Sequence, residues 1–537
     1  MTDGTGSTAW NVNIFGEVSG VLRASGAKVS YGYDKTGHPT SITYPGGPAQ
    51  NVVQTYDRAG RLATVTDWNS NKTVFGYGPD GDLRTTTYPN GTLITNGYDD
   101  SDTLTSSALT AGTVTLASLT FGRDNAHQLT SSAPTGVPGA AQSCGYSARE
   151  QLSSATTGGA TAQYTVDAAD NPTGLGSATQ AFESTNQLCW AQPSGVVVNP
   201  VCSTVPAGAS KYSFDNRGNR KTMTPATGTA TAYGYDQADQ QTSVTGSSTA
   251  SYRYDGDGLR STKTVGLVTT TFSWGSGQLP DLLSDSSWSY VYGPGGMPLE
   301  QINSGTTLWY FHDQLGSTRA LVDSAGHIAG TYAYTEYGVA THSGTAQTPL
   351  QYTGQYFDAE TGFVYLRARF YDPATAQFLT VDPAYDSTGA RYAYVNDAPL
   401  NNVDPAGEWG FLAVLFAVPG LGEVLAAAVA IVIVAVVVVA IIQHVSNYYA
   451  SSSSNPRSGA HMPAQPPATL HGFPKAQPVQ RKNGRARWED KKKIYEWDSE
   501  KGEVECYRKS DELHLGGFDP ETGEQTTKPD KGRQPGR

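Results

Sequence analysis

Charge and sulfur are scarce in this chain. Only 16% of its 537 residues are charged, and it holds four cysteines and four methionines. So few cysteines exclude a disulfide scaffold, and no CxxC pair or His/Cys cluster offers the spacing of a metal site. No metal and no other cofactor is expected. Cys189 and Cys202 flank a Pro/Gly/Val loop and can pair if the protein is exported, whereas Cys144 and Cys506 are expected to be free. The opening Met1-Thr-Asp-Gly-Thr-Gly has neither the basic nor the apolar region of a signal peptide. It reads as the middle of a repeat unit, so a longer polypeptide with its C-terminal part here is expected. What is plentiful is glycine (60) and tyrosine (31), a composition of β-structure with many tight turns. The length calls for several domains.

The net charge of −12 is unevenly spread. Residues 475–537 hold 15 Lys/Arg against 13 Asp/Glu, which leaves 21 against 35 for residues 1–474. A mildly basic end on an acidic body points to an anionic target for the end alone.

A unit built on Tyr-Asp-x-x-Gly recurs, as in YDKTGHPTSI from Tyr33, YDRAGRLATV from Tyr56 and FDNRGNRKT from Phe214. Consecutive clear copies lie 19 to 23 residues apart, the mark of an array. Each copy reads as a strand ending in Tyr, a turn seeded by Asp and closed by Gly, and a second strand. A lone hairpin cannot bury its apolar face, so the units must stack into one continuous sheet. A generic β-solenoid or propeller is the plainer alternative, although the period is short for a four-stranded blade.

From Leu308 to Gly407 the texture changes, with LWYFHDQLGSTRALVDSAGHIAGTYAYTEYG, QYTGQYFDAETGFVYLRARFYDPATAQFLTVDP and RYAYVNDAPLNNVDPAG in succession. These blocks resemble the core of Rhs/YD-repeat proteins, and with the repeats the resemblance covers residues 1–408. It implies a β-shell (1–307) closed by an Rhs-associated core (308–408). It further implies self-cleavage after the last motif through paired aspartates and an arginine, matched here by Arg369, Asp382 and Asp404. Two carboxyls sharing a proton can activate water, and an arginine keeps one of them ionised. Asp-Pro pairs also suit ordinary turns. The family pattern has Leu after DPxG where this chain has Glu408-Trp409, so the cut is expected between Gly407 and Gly410.

Residues 409–450 follow as an apolar segment. Val424–Ile442 is nineteen residues without a charge, which meets the lower limit for crossing a bilayer, and a helical, membrane-inserting element is expected there. A buried element of the shell is the alternative. Residues 451–480, rich in Ser, Pro and Ala without periodicity, read as a flexible linker.

The last segment, 481–537, carries the chemistry. IYEWD-SEKG-EVECY reads as a hairpin with a loop at Ser499–Gly502, which sets Asp498 opposite Glu503 and Glu496 opposite Glu505. Four carboxylates then share one face, while Tyr495, Trp497, Val504 and Cys506 share the other. Like charges on adjacent strands must be paired with cations or hold raised pKa values, the second being a requirement of acid–base catalysis. A solvated acidic face balanced by Lys491–Lys493 is the plainer reading.

Residues 484–533 resemble the cytotoxic domain of ribosome-inactivating colicin ribonucleases through RW, KIYEWDS, GE-x-E-x-Y, HLG-x-FDP and the Lys/Pro/Asp-rich end. The resemblance implies a small antiparallel sheet and metal-independent cleavage at the decoding site of small-subunit ribosomal RNA. Its partners would be the ribosome and a cognate immunity protein, with the target cell's membrane implied by the apolar segment; the secretion apparatus is left open. The protein would be secreted or surface-borne, with the toxin acting in the cytoplasm of a target bacterium. Asp498 and Glu505 match catalytic carboxylates, and Arg533, or else Lys531, matches the C-terminal arginine. Lys501 stands where the family has a histidine. His514 is family-like in its HLG and reads as structural. Arg481, Lys482, Arg485, Arg487, Lys491, Lys492 and Lys493 are expected to contact phosphates. The rival reading is a structural or adhesive surface protein with a degenerate, ribosome-binding tail.

Overall fold

In the computed structural model the described residues are 2–3, 6–385, 389–408, 411–412, 470, 473–482, 485–498, 503–520 and 522–529. The chain divides into two compact units, Met1–Ile442 and Gln443–Arg537. The described secondary structure is overwhelmingly antiparallel strand. The Val424–Ile442 run and the Ser/Pro/Ala stretch up to residue 469 lie outside the described residues.

The first unit is built from the Tyr-Asp turn. Asp57 is representative: its Oδ1 accepts the backbone N–H groups of Ala59 (2.8 Å) and Arg61 (3.0 Å), and Gly60 takes the left-handed conformation at φ 78°. The strand register shifts at Tyr56, which turns the ring along the sheet so that its hydroxyl donates to the Pro39 carbonyl at 2.8 Å. Tyr33 does the same to Val18, Tyr77 to Leu62 and Tyr254 to Gln241. Each copy is thus pinned to the one before it. The array expected from the spacing is a sheet running from Ala9–Val12 to Val268–Thr271 that closes on itself. At the seam Arg23 donates to Asp255 at 2.5 Å and to the Gly275 carbonyl at 3.0 Å.

An eight-stranded sheet from Ser273–Trp274 to Ala340–Gly344 lies across the interior. Both its faces are buried. Trp309, Phe311 and Val322 pack with Val29, Val65, Leu109 and Leu119 of the early repeats, while Leu308, Tyr310 and Leu321 pack with Tyr233, Val244 and Tyr252 of the late ones. The composition change at Leu308 falls inside the Thr306–His312 strand of this sheet. A four-stranded sheet from Tyr356–Asp358 to Gln377–Phe378 follows, held to the repeats by buried ion pairs. Arg260 meets Asp358 at 2.5 Å, both fully buried, with the Phe272, Tyr356 and Tyr365 rings around the guanidinium. Arg220 meets Asp372 at 2.6 Å. Cys189 and Cys202 form a disulfide with Cα atoms 5.5 Å apart, and Cys144 and Cys506 are free thiols.

The second unit is a six-stranded antiparallel sheet in sequence order, from Gln477–Lys482 to Gln525–Thr527. Its first strand takes in residues 477–480, which composition assigned to the linker, because they pair with Arg485–Glu489. Leu470, Trp488, Tyr495, Trp497, Val504 and Cys506 form its core.

Candidate functional site

In the tail the hairpin has the expected register. Asp498 pairs with Glu503 and Glu496 with Glu505, while Tyr495, Trp497, Val504 and Cys506 face the core. The carboxylate face is not solvated, in contrast to the plainer reading: Glu496, Asp498, Glu503 and Glu505 are 1, 6, 5 and 0% exposed. Such burial of like charge requires partners close at hand, and the structure provides them. Arg487 meets Glu496 at 3.1 Å and Glu489 at 3.0 Å. Arg487 is thus a balancing cation for Glu496, whereas Lys491 and Lys492 of the lysine cluster are exposed. Thr526 and Thr527 donate hydroxyls to Glu503, which also lies flat on Gly517, where a Cβ would meet its carboxyl carbon at 2.3 Å.

The contact that sequence reasoning did not assign is that of His514. Its Nε2 sits against Glu505 Oε2, with both side chains buried and the Tyr507 ring 5.1 Å from the imidazole. The signal was present in principle, since His514 and Tyr507 are paired across adjacent strands. A register shift at Cys506/Tyr507 carries the imidazole toward Glu505, and a shift of that kind is not written in the alternation. Lys501, Lys531 and Arg533 lie outside the described residues, and Arg481, Lys482 and Arg485 are described only as strand backbone.

In the first unit Arg369, Asp382 and Asp404 come together, all nearly buried. Arg369 Nη2 is 3.2 Å from Asp382 Oδ2 and 3.5 Å from Asp404 Oδ2, and its Nε donates to the Gly407 carbonyl. Asp404 Oδ1 accepts the N–H groups of Gly407 (2.8 Å) and Glu408 (3.2 Å). The Gly407–Glu408 amide is thus gripped on its carbonyl by an arginine and on its N–H by a carboxylate. Burial pulls the Arg369 guanidinium below its usual value against the pull of Asp382 and Asp404, and burial pushes the Glu408 carboxyl up despite the nearby arginine. Among the described residues no candidate site beyond these was expected from sequence.

Comparison with known proteins agrees with both units. The teneurin YD-shell family model matches residues 82–400, and the Cytotoxic family model matches residues 463–535. The tRNA3(Ser)-specific nuclease WapA of Bacillus spizizenii is 33% identical over 220 residues, 38% of this chain and 9% of WapA. Colicin E3 of Escherichia coli is 55% identical over 65 residues, 12% of each protein. The chain therefore spans about a tenth of the length of these relatives. A solved Tc holotoxin pore of Photorhabdus luminescens with a mutated TccC3 superposes with a TM-score of 0.55 at 17% identity, over 72% of this chain and 21% of that one, a likeness of fold.

Proposed function

The chain belongs to the teneurin YD-shell family, and on that premise we propose that it is a polymorphic toxin whose C-terminal domain is a ribonuclease that cuts small-subunit ribosomal RNA at the decoding site. The observation that carries this reading is the buried Glu505–His514 pair, beside Asp498, on a hairpin 55% identical in its surroundings to colicin E3. The reaction is transesterification. Glu505 takes the proton of a ribose 2′-hydroxyl, the 2′-oxygen attacks the adjacent phosphorus, and the bond to the 5′-oxygen breaks as that oxygen takes a proton from water; Glu505 then returns its proton to solvent, leaving a 2′,3′-cyclic phosphate and a 5′-hydroxyl. His514 holds the Glu505 carboxylate in one orientation. Lys501 and Arg533 stabilise the charge on the phosphorane, and Asp498 positions the reacting groups. Lys482, Lys491 and Lys492 contribute phosphate contacts. Arg487 contributes more to neutralising Glu496 than to RNA.

The same reading gives the Arg369/Asp382/Asp404 cluster the role of cutting the Gly407–Glu408 bond. Arg369 polarises the carbonyl; of the Asp382 and Asp404 carboxyls the ionised one takes a proton from the attacking water and the protonated one gives its proton to the leaving amine as the C–N bond breaks. The freed piece carries the apolar run, the linker and the ribonuclease, and a cognate immunity protein protects the producer. Inducing residues 470–537 in a bacterium and running primer extension across small-subunit rRNA tests the ribonuclease. A stop at the decoding site with growth arrest is expected. Normal growth with intact rRNA would favour a structural surface protein with a non-catalytic tail.

A further inference from the structure

The repeat turns carry a polar ladder that is reversed in charge at one rung. In each turn the fourth residue is left-handed, and in several turns it offers an oxygen to the turn before it. Asp170 (φ 59°) receives Arg149 Nη1 at 2.7 Å and Gln151 Nε2 at 3.0 Å. Asp239 (φ 60°) receives Arg217 Nε at 3.1 Å and Asn219 Nδ2 at 2.7 Å. In both rungs the third and fifth residues of the preceding turn supply a guanidinium and a carboxamide to one aspartate. Asp102 (φ 57°) is the counterpart of Asp170 and Asp239, but the turn before it, Gly78-Pro-Asp-Gly-Asp82, places Asp80 and Asp82 where those rungs have donors.

The result is a cluster in which one carboxylate oxygen from each of Asp80, Asp82 and Asp102 lies within 4.8 Å of the others. Asp82 is 0% exposed, and its Oδ1 has no hydrogen-bond partner, a desolvated acceptor that a donor or a cation would satisfy. Its Oδ2 binds Arg84 Nη2 at 2.7 Å, which leaves the group with two net negative charges.

We propose that Asp80, Asp82 and Asp102 form a divalent-cation site, suited to Ca²⁺, that clips two neighbouring turns of the shell together. An all-oxygen donor set with an exposed side for water fits a cation that takes six to eight oxygens at about 2.3–2.6 Å. The hard, waterless octahedron that Mg²⁺ resists forming is not needed. Because part of the coordination is left to water, the affinity belongs to the weak range of extracellular modules, on the order of 10⁻⁴ to 10⁻³ M.

The test compares melting of the full chain in EDTA and in 10 mM CaCl₂, with calorimetric titration of CaCl₂ alongside. Wild type is expected to gain roughly 2–4 °C in calcium. Asp82→Asn, which restores the carboxamide found at Asn219, should melt no lower than wild type in EDTA, lose the calcium gain, and lose at least tenfold in calcium affinity. Asp80→Arg with Asp82→Asn, which copies the Asp239 rung, should do the same and serves as the second variant if the first folds poorly. No calcium-dependent gain in wild type, a gain undiminished in both variants, or stabilisation by acid alone would overturn the site.

Discussion

Glu505 is fully buried against His514, and the Glu496 carboxylate beside it is neutralised by Arg487. The imidazole against Glu505 is a partner that can itself move a proton. Glu505→Gln is expected to abolish rRNA cleavage by the tail, read by primer extension. Lys501→Ala should lower the rate by about 10²–10³-fold without eliminating it, because the loss is one charge contact. Lys501→His should raise the rate above wild type. Should Glu505→Gln cut as fast as wild type, the base lies elsewhere and His514 is the next to replace. A second residue-scale prediction concerns Asp397, left-handed at φ 58° and 0% exposed, whose carboxyl is pushed up to about 8 by burial and then by Asp170. The folded form holds a proton that the unfolded chain gives up near pH 4, so this group's stability is complete below about pH 4 and is lost as pH rises through 8. Asp281, raised by burial to about 6, adds to the lower part of the slope. Asp397→Asn keeps the neutral shape and tolerates the conformation, so it should flatten the decline in urea midpoint between pH 6 and pH 8. An unchanged decline would show that another group controls it.

At the scale of elements, the Arg369–Asp372 strand and the turns at Asp382 and Asp404 converge on one peptide bond. Purified wild type is expected to yield a C-terminal fragment beginning at Glu408, found by intact mass and N-terminal sequencing, and Asp382→Asn should remain one chain. If both proteins run uncut, the protease assignment is wrong. Asp404 holds the N–H groups of Gly407 and Glu408 whatever residue follows the glycine, so the replacement of the family's leucine by Glu408 does not move the gripped bond. The tail hairpin was legible at this scale because alternation over six residues fixes which side chains share a face. What alternation left open was whether the acidic face met water. The flanking strands, with Arg487 on one side and Gly517 and His514 on the other, closed it.

At the scale of the whole molecule, the closed sheet and the sheet within it bury both faces of the Thr306–His312 strand. Arg260 and Arg220 join repeats to core through ion pairs that would each cost about 3–5 kcal/mol to break from one side. The fragment released at Glu408 is expected to float with liposomes through Val424–Ile442, whereas a fragment left wholly in the soluble fraction would count against membrane insertion.

The sequence by itself determined what is local or periodic: the Tyr-Asp turn, the stacking of its copies, the hairpin register and the two-sided character of the Lys493–Asp498 and Glu503–Arg508 strands. These depend on neighbours within a few residues, and the chain states them directly. Only the tertiary structure decided which distant groups meet. Arg260 and Asp358 are 98 residues apart in the chain, and Arg369 reaches Asp382 across 13 residues while holding the Gly407 carbonyl across 38. His514 reaches Glu505 only through a register shift, and the three aspartates at 80, 82 and 102 become one cluster only because successive turns stack in register. Such meetings are fixed by how whole strands pack, a property of the closed sheet that no short stretch of sequence contains.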